Sequence, residues 1–292
     1  MSTSWRAPLL TVTALIGFAA NSLLTRGALA TGRLDAASFT AVRLLSGAVA
    51  LGVITHLRPP ARAAGLAQGS WISAVALAGY AITFTIAYRR IGAGVGALAL
   101  FGAVQVTMIG KGLVDGERPT WCDAGGLLLA LVGLLTLTMP GASAPDPIGL
   151  LLMAVAGACW GAYSLRGRRS LDPIGATAGN FLRASIAGVV FALVARSTLT
   201  VSAAGLGLAV ASGALASGVG YALWYAALPS LSAWRAAVVQ LAVPVLTAGA
   251  AVVLLHEPVS WRLAMAAGLI ASGVLLTVWP GRVAGQRVGG AR

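Results

Sequence analysis

"GERPTW" (Gly116–Trp121) and "HEPVSW" (His256–Trp261) are two charged corners in a chain that is otherwise mostly apolar. The second reads as an altered copy of the first. A displacement of 140 residues lays Glu117 on Glu257 and Trp121 on Trp261. The same displacement lays Arg43 on Arg183, Gly133 on Gly273, and Pro140-Gly141 on Pro280-Gly281. Near the starts, "FAANS" matches "WGAYS" at 142, pairing Phe18 with Trp160 and Ser22 with Ser164. Chance aligns apolar residues readily, but rarely Arg, Glu, Trp and Pro-Gly at one displacement. The chain therefore reads as built twice: residues 1–140, residues 141–281, and a Gly/Arg-rich tail over 282–292.

The solvent follows from composition. Of 292 residues, 58% are hydrophobic and 9% charged, whereas a soluble domain carries about 25% charged residues. Too little polar surface remains to cover a globule in water, so the solvent is lipid. A spanning helix needs roughly 20 apolar residues. That length marks about ten spans, near 8–30, 36–56, 71–88, 93–114, 121–139, 147–165, 175–195, 203–227, 233–255 and 261–279. The expected fold is an all-α membrane protein of about ten transmembrane helices. Five spans per half is an odd number, so the second half enters the membrane upside down. Two inverted five-helix repeats are a construction of secondary transporters.

Charge sets the orientation. With the N-terminus cytoplasmic, eleven Lys and Arg fall on the inner side and five on the outer. Both termini are expected inside, in a bacterial inner membrane. The formal net charge of +13 does not imply a nucleic-acid partner, because the arginines are scattered between apolar runs. Cys122 and Cys159 lack metal-ligand spacing and no His/Cys cluster exists, so no metal and no cofactor are expected. A helical N-terminal span explains "SWRAPLLTVTALIGFAA" better than a cleaved leader.

At this point the residues resemble a family, the drug/metabolite transporter superfamily of EamA type. The resemblance rests on an arginine in the second helix of each half ("AVRLLSG", "NFLRASI") and on "GERPTW…GGLLLALVGLL" and "HEPVSW…GLIASGVLL". It covers nearly the whole chain, and the order and spacing of the motifs carry most of its weight. It implies ten helices and a central cavity lined by helices 1, 3, 4, 6, 8 and 9. The aromatic amino-acid exporter branch is one implied reading. The second half departs from the first at Pro244, which stands where the first half has Val104.

The candidate lining combines that implication with the polar and aromatic residues of the spans. Tyr80, Phe84 and Tyr88 recur every four residues, on one face of helix 3. Trp160, Tyr163 and Ser164 belong to helix 6, and Tyr221 and Trp224 to helix 8, with Tyr225 beside them. Asn21, Ser22, Gln105, Trp234 and Gln240 complete the set. Lys111 joins it if it faces inward, although its long stem also permits snorkelling. Such a lining is aromatic and uncharged, and suits neutral or zwitterionic amino acids bound by stacking and a few hydrogen bonds. Packed core or lipid contact explains the same aromatics equally well. Arg43 and Arg183 are expected to be structural, bonded to neighbouring carbonyls inside the membrane. Glu117 and Glu257 are read as helix-end corners on opposite sides.

The function these readings favour is secondary transport of amino acids, aromatic ones included, by alternating access. No carboxylate lies mid-span, which favours a facilitator or substrate-driven exchanger over proton coupling. Export of drugs or nucleotide sugars is the alternative, though phosphates need more cationic contacts than these spans hold. An intramembrane serine hydrolase needs a base near its serine, and both histidines lie at helix ends. The chain is therefore read as a non-enzyme, monomeric in a lipid bilayer, with a small molecule as its partner.

Overall fold

The structure is a computed structural model that describes residues 3–29, 31–57, 68–91, 93–138, 146–168, 170–195, 200–255 and 261–278. Glu257, the 282–292 tail and both Pro-Gly pairs lie outside the described residues.

Ten helical stretches follow in order, close to the spans read from hydrophobicity. They are α1 (Thr3–Leu29), α2 (Ala36–His56), α3 (Trp71–Ala87), α4 (Ala93–Val114) and α5 (Trp121–Thr138), then α6 (Pro147–Gly167), α7 (Pro173–Val194), α8, α9 and α10 (Trp261–Val278). The eighth, α8, begins as α-helix over Ala203–Ala211, widens to a π-helix over Ser212–Val219, returns to α over Gly220–Ala227 and ends in a 3₁₀ turn, Leu228–Ser230. The ninth, α9, runs over Ala233–Gln240, breaks at Leu241, and resumes over Ala242–Leu255. Six stretches are long and apolar enough to cross a membrane, while α3, α5, α10 and the apolar part of α4 are shorter. No strand occurs among the described residues; the one extended pairing is an isolated bridge between Leu34 and Val201.

Side-chain caps set several starts. Asp35, Ser70, Asp146, Asp172, Ser202 and Ser232 each accept a backbone N–H at the first turn of α2, α3, α6, α7, α8 and α9. These bonds satisfy N–H groups that a helix leaves free at its start. Asp35 and Asp146 stand below the ordinary carboxylate value for this reason. Burial acts to raise both, but backbone N–H donors, and for Asp146 the Arg90 guanidinium as well, outweigh it.

Lipid offers no hydrophobic drive between helices, so close packing must hold them. Glycines provide it. Gly157 lies against the Leu100 carbonyl where α6 meets α4, and Gly188 lies against Ala41 and Leu44 where α7 meets α2. Gly126 and Gly273 lie on each other where α5 meets α10. Outward faces stay apolar: Val49 and Val53 on α2, and Val190 and Leu193 on α7, are exposed.

Corner contacts order the ends. At one, Arg166 donates to Ser73 and Ser70, and Glu117 reaches Arg168 and the start of α9. At the other, Asp35 pairs with Thr200 through both its backbone and its side chain. There too Arg90 meets Asp146 at 3.3 Å.

Candidate functional site

The aromatic residues of α3, α6 and α8 converge. On α3, the four-residue spacing brings Tyr80 to 5.2 Å from Phe84, tilted, and Phe84 to 4.6 Å from Tyr88, edge-on. Trp160 of α6 is the hub, with ring centroids 5.2 Å from Tyr80, 4.6 Å from Tyr221 and 5.7 Å from Tyr163. Phe18 of α1 meets Trp160, Tyr221 and Trp224 edge-on at 5.1, 5.5 and 5.6 Å. Edge-on and tilted contacts suit the ring quadrupoles. Tyr163, Trp224 and Tyr221 are fully buried.

Each indole or phenol that is buried here needs a partner, and most find one. Trp160 Nε1 donates to Gln240 Oε1 at 2.5 Å, and Gln240 Nε2 donates to the Ala236 carbonyl at 3.0 Å. Trp224 Nε1 donates to Ser164 Oγ at 3.1 Å, and Tyr225 OH to the Tyr163 carbonyl at 2.9 Å. Gln105 Nε2 donates to the Ala237 carbonyl at 3.0 Å.

A polar layer built on Arg43 adjoins the rings. Its side chain is 1% exposed. Nε donates to Ser217 Oγ at 2.9 Å and Nη2 to Tyr221 OH at 2.6 Å, while the guanidinium carbon lies 5.3 Å from the Tyr80 ring centre. Asn21 Oδ1 accepts from Ser212 at 2.6 Å and from Ser217 at 3.3 Å. The π segment of α8 makes this contact. Its sequence "SGALASGV" is small, and Gly213 lies against the Arg43 carbonyl and Ser46, so the α2 and α8 backbones almost touch. The wider π turn adds one residue to the helix, and Ser212 and Ser217 point to one acceptor.

Two of the expectations change here. The aromatic cluster is not free of charge, because Arg43 adjoins it. All six described acidic residues lie at helix ends or corners. Arg43 does not bond carbonyls; its acceptors are hydroxyls. Arg183 does bond them, with Nη1 donating to Gln68 O at 2.8 Å and Gly179 O at 2.9 Å, over the Trp71 ring. Two arginines that stand 140 residues apart thus differ in their surroundings.

Some expected lining residues stand elsewhere. Lys111 pairs with Asp115 one turn on, with its side chain 47% exposed. Snorkelling at a helix end explains it. Trp234 donates from Nε1 to the Asp123 carbonyl at 3.0 Å, at the corner beneath α4 and α5. Ser22 bonds back to the Phe18 carbonyl at 3.2 Å. Glu117 is a corner, but one that reaches α6 and α9. Its carboxylate accepts from Ala233 N at 3.0 Å, caps α9, and meets Arg168 at 2.9 Å.

Phe18, Ser212, Ser217 and Phe181, whose ring lies 5.7 Å from that of Tyr221, belong to the cluster but were absent from the expected lining. Phe18 could have been found, since its repeat mate is Trp160. The two serines could not, because an ideal α-helix would not bring Ser212 and Ser217 to one atom.

Comparisons with known proteins agree with this architecture. The model of the EamA-like transporter family matches residues 147–279, which is α6 to α10. A Pseudomonas aeruginosa protein named "Uncharacterized protein PA1977" is 50% identical over 275 residues, 94% of this chain and 95% of that one. An "Uncharacterized transporter" of Archaeoglobus fulgidus is 26% identical over 202 residues, 68% of this chain and 72% of its own. A crystal structure, 22% identical, superposes with a TM-score of 0.77 over 95% of this chain and 98% of the other, a likeness of fold.

Proposed function

We propose, from the premise that the chain belongs to the EamA-like transporter family, that it moves neutral or zwitterionic amino acids with an apolar body, aromatic ones included. The observation that carries this reading is the buried cluster around Trp160. Rings supply stacking surface, while Arg43, Asn21 and the α8 serines supply hydrogen bonds beside it. In the conformation described the rings pack on one another, so entry of a solute requires them to part. Two five-helix halves, the second inverted, would do this by rocking about the centre. The family match over α6 to α10 supports treating five helices as the unit. The excess of Lys and Arg on one side favours both termini cytoplasmic, in the bacterial inner membrane, and the family resemblance suggests export as the direction. We read the unit as a monomer.

Coupling is expected to be to the substrate gradient rather than to protons. Every described acidic side chain sits at a helix end, and a buried carboxylate is the usual proton carrier. The serines of the cluster serve as hydrogen-bond partners of Trp224 and Asn21, which supports a transporter over a hydrolase.

Counterflow in proteoliposomes, with an amino-acid panel at two pH values, tests the reading. Labelled phenylalanine or methionine should accumulate against preloaded substrate without ATP, at similar rates at both pH values. Uptake equal to that of empty liposomes across the panel would reject it.

A further inference from the structure

We propose that Nη1 of Arg43 is the anchor for a carboxylate, so that the ligand of the aromatic cluster is an organic acid or zwitterion with a ring-sized apolar body. The inference rests on reading the cluster as the binding site. Arg43 is 1% exposed, yet Nη1 has no hydrogen-bond partner. A guanidinium without a counter-charge is costly in the membrane interior, and buried charges are normally paired. Nothing acidic adjoins it: Arg43 is held by Ser217, Tyr221 and the face of Tyr80. These neutral partners fix the plane of the guanidinium and leave one arm of its fork open. A planar, delocalised cation so held matches a carboxylate.

Arg183 shows what the same side chain does in a purely structural place, where backbone carbonyls take its Nη1. Arg43 has forgone such bonds and turned toward α8. Gln105 Oε1 is also buried and without a donor; its Nε2 donates to the Ala237 carbonyl, next to the Ala236 carbonyl that takes Gln240, the partner of Trp160. Its sign suits the ammonium end of an amino acid, which belongs to the functional reading above.

Matched acid and amide pairs test the proposal on the purified full chain. Thermal unfolding and tryptophan fluorescence would be followed with phenylalanine against phenylalaninamide, and with 3-phenylpropionate against 3-phenylpropionamide. At least one acid should stabilise the protein and bind ~10-fold or more tightly than its amide, since an Arg–carboxylate bond is charge-assisted. Arg43→Gln should remove the difference, and Arg43→Lys should keep part of it. Equal binding of acid and amide, or no binding of either acid, overturns the proposal, as does an acid preference that survives Arg43→Gln. Stabilisation by chloride alone matching that by the acids would do the same. The wild-type comparison stands even if a variant fails to fold. If phenylpropionate binds as tightly as phenylalanine, the carboxylate anchor holds and the amino-acid reading falls. If counterflow of amino acids succeeds but acid and amide bind alike, the reverse follows.

Discussion

Asp35 shows how much one carboxylate holds at a corner. It caps α2 through Ala37 N and Ser38 N, both at 2.9 Å, and takes Thr200 N at 3.0 Å from the α7–α8 connection. Its pKa lies below the ordinary 3.8, because these donors outweigh burial. A depressed folded-state pKa adds stability above the unfolded value, and that stability is lost as pH falls through the folded one. Asp35→Asn should therefore lower the midpoint of thermal unfolding at pH 7, and the gap from wild type should shrink below about pH 4. A gap constant from pH 7 to pH 3 would refute this assignment. Glu117 acts at the opposite end. Glu117→Ala leaves the Ser232 cap in place but removes the acceptor of Ala233 N and Trp234 N at the start of α9, and should cost roughly 1–2 kcal/mol, measured by denaturant unfolding in detergent. Arg168→Ala removes only a partly exposed ion pair and should cost less than about 1 kcal/mol. At this scale the sequence was half legible. The mid-span arginines were found from the repeat, but their symmetry suggested a shared role. Arg183 meets carbonyls as expected and Arg43 does not, because a π turn in α8 moves hydroxyls within its reach.

Hydrophobic run length located the elements well, since lipid forces backbone bonds to close within each helix. What it misplaced were interruptions. Pro244 lacks an N–H and crowds the carbonyl four residues back, so α9 breaks at Leu241. Val104 carries no such penalty, and α4 runs unbroken over Ala93–Val114. The departure from symmetry noticed in the sequence thus has a visible cause. The π segment had no comparable mark beyond its small residues. Its glycines make a sharp test. A Cβ at Gly213 would strike the Arg43 carbonyl and Ser46, while at Gly207, six residues earlier on α8, it would meet nothing within 4 Å. Gly213→Ala should destabilise by roughly 1–3 kcal/mol through overpacking. Gly207→Ala should be neutral or stabilising by up to about 1 kcal/mol through helix propensity. Unfolding midpoints of the two variants decide it, and equal effects would remove the close α2–α8 approach from the account.

Across the whole molecule, both ends are bridged by polar contacts, Asp35 with Thr200 at one and Glu117 with Arg168 and α9 at the other. A rocking motion of the kind proposed has to release one set at a time. The aromatic cluster lies between them, and its membership was largely legible, because Tyr and Trp repeat at helical spacing on α3, α6 and α8. Lys111 snorkels, one of the two readings its long stem allowed, and Trp234 reaches a corner carbonyl, because position along a helix does not reveal which way a long side chain leans. Length, finally, has a consequence for the host membrane. The third helix is capped at Ser70, closes at Tyr88 and holds 17 residues, about 25 Å at 1.5 Å per residue. Its exposed Trp71, Ile72 and Val75 face outward, beside a hydrocarbon layer of about 30 Å. A thinner bilayer matches such a span better, each Å of mismatch costing a fraction of a kcal/mol. Counterflow should then be fastest in vesicles of short-chain lipid and slow as acyl chains lengthen. Cells could in that way tune the protein through fatty-acid composition alone.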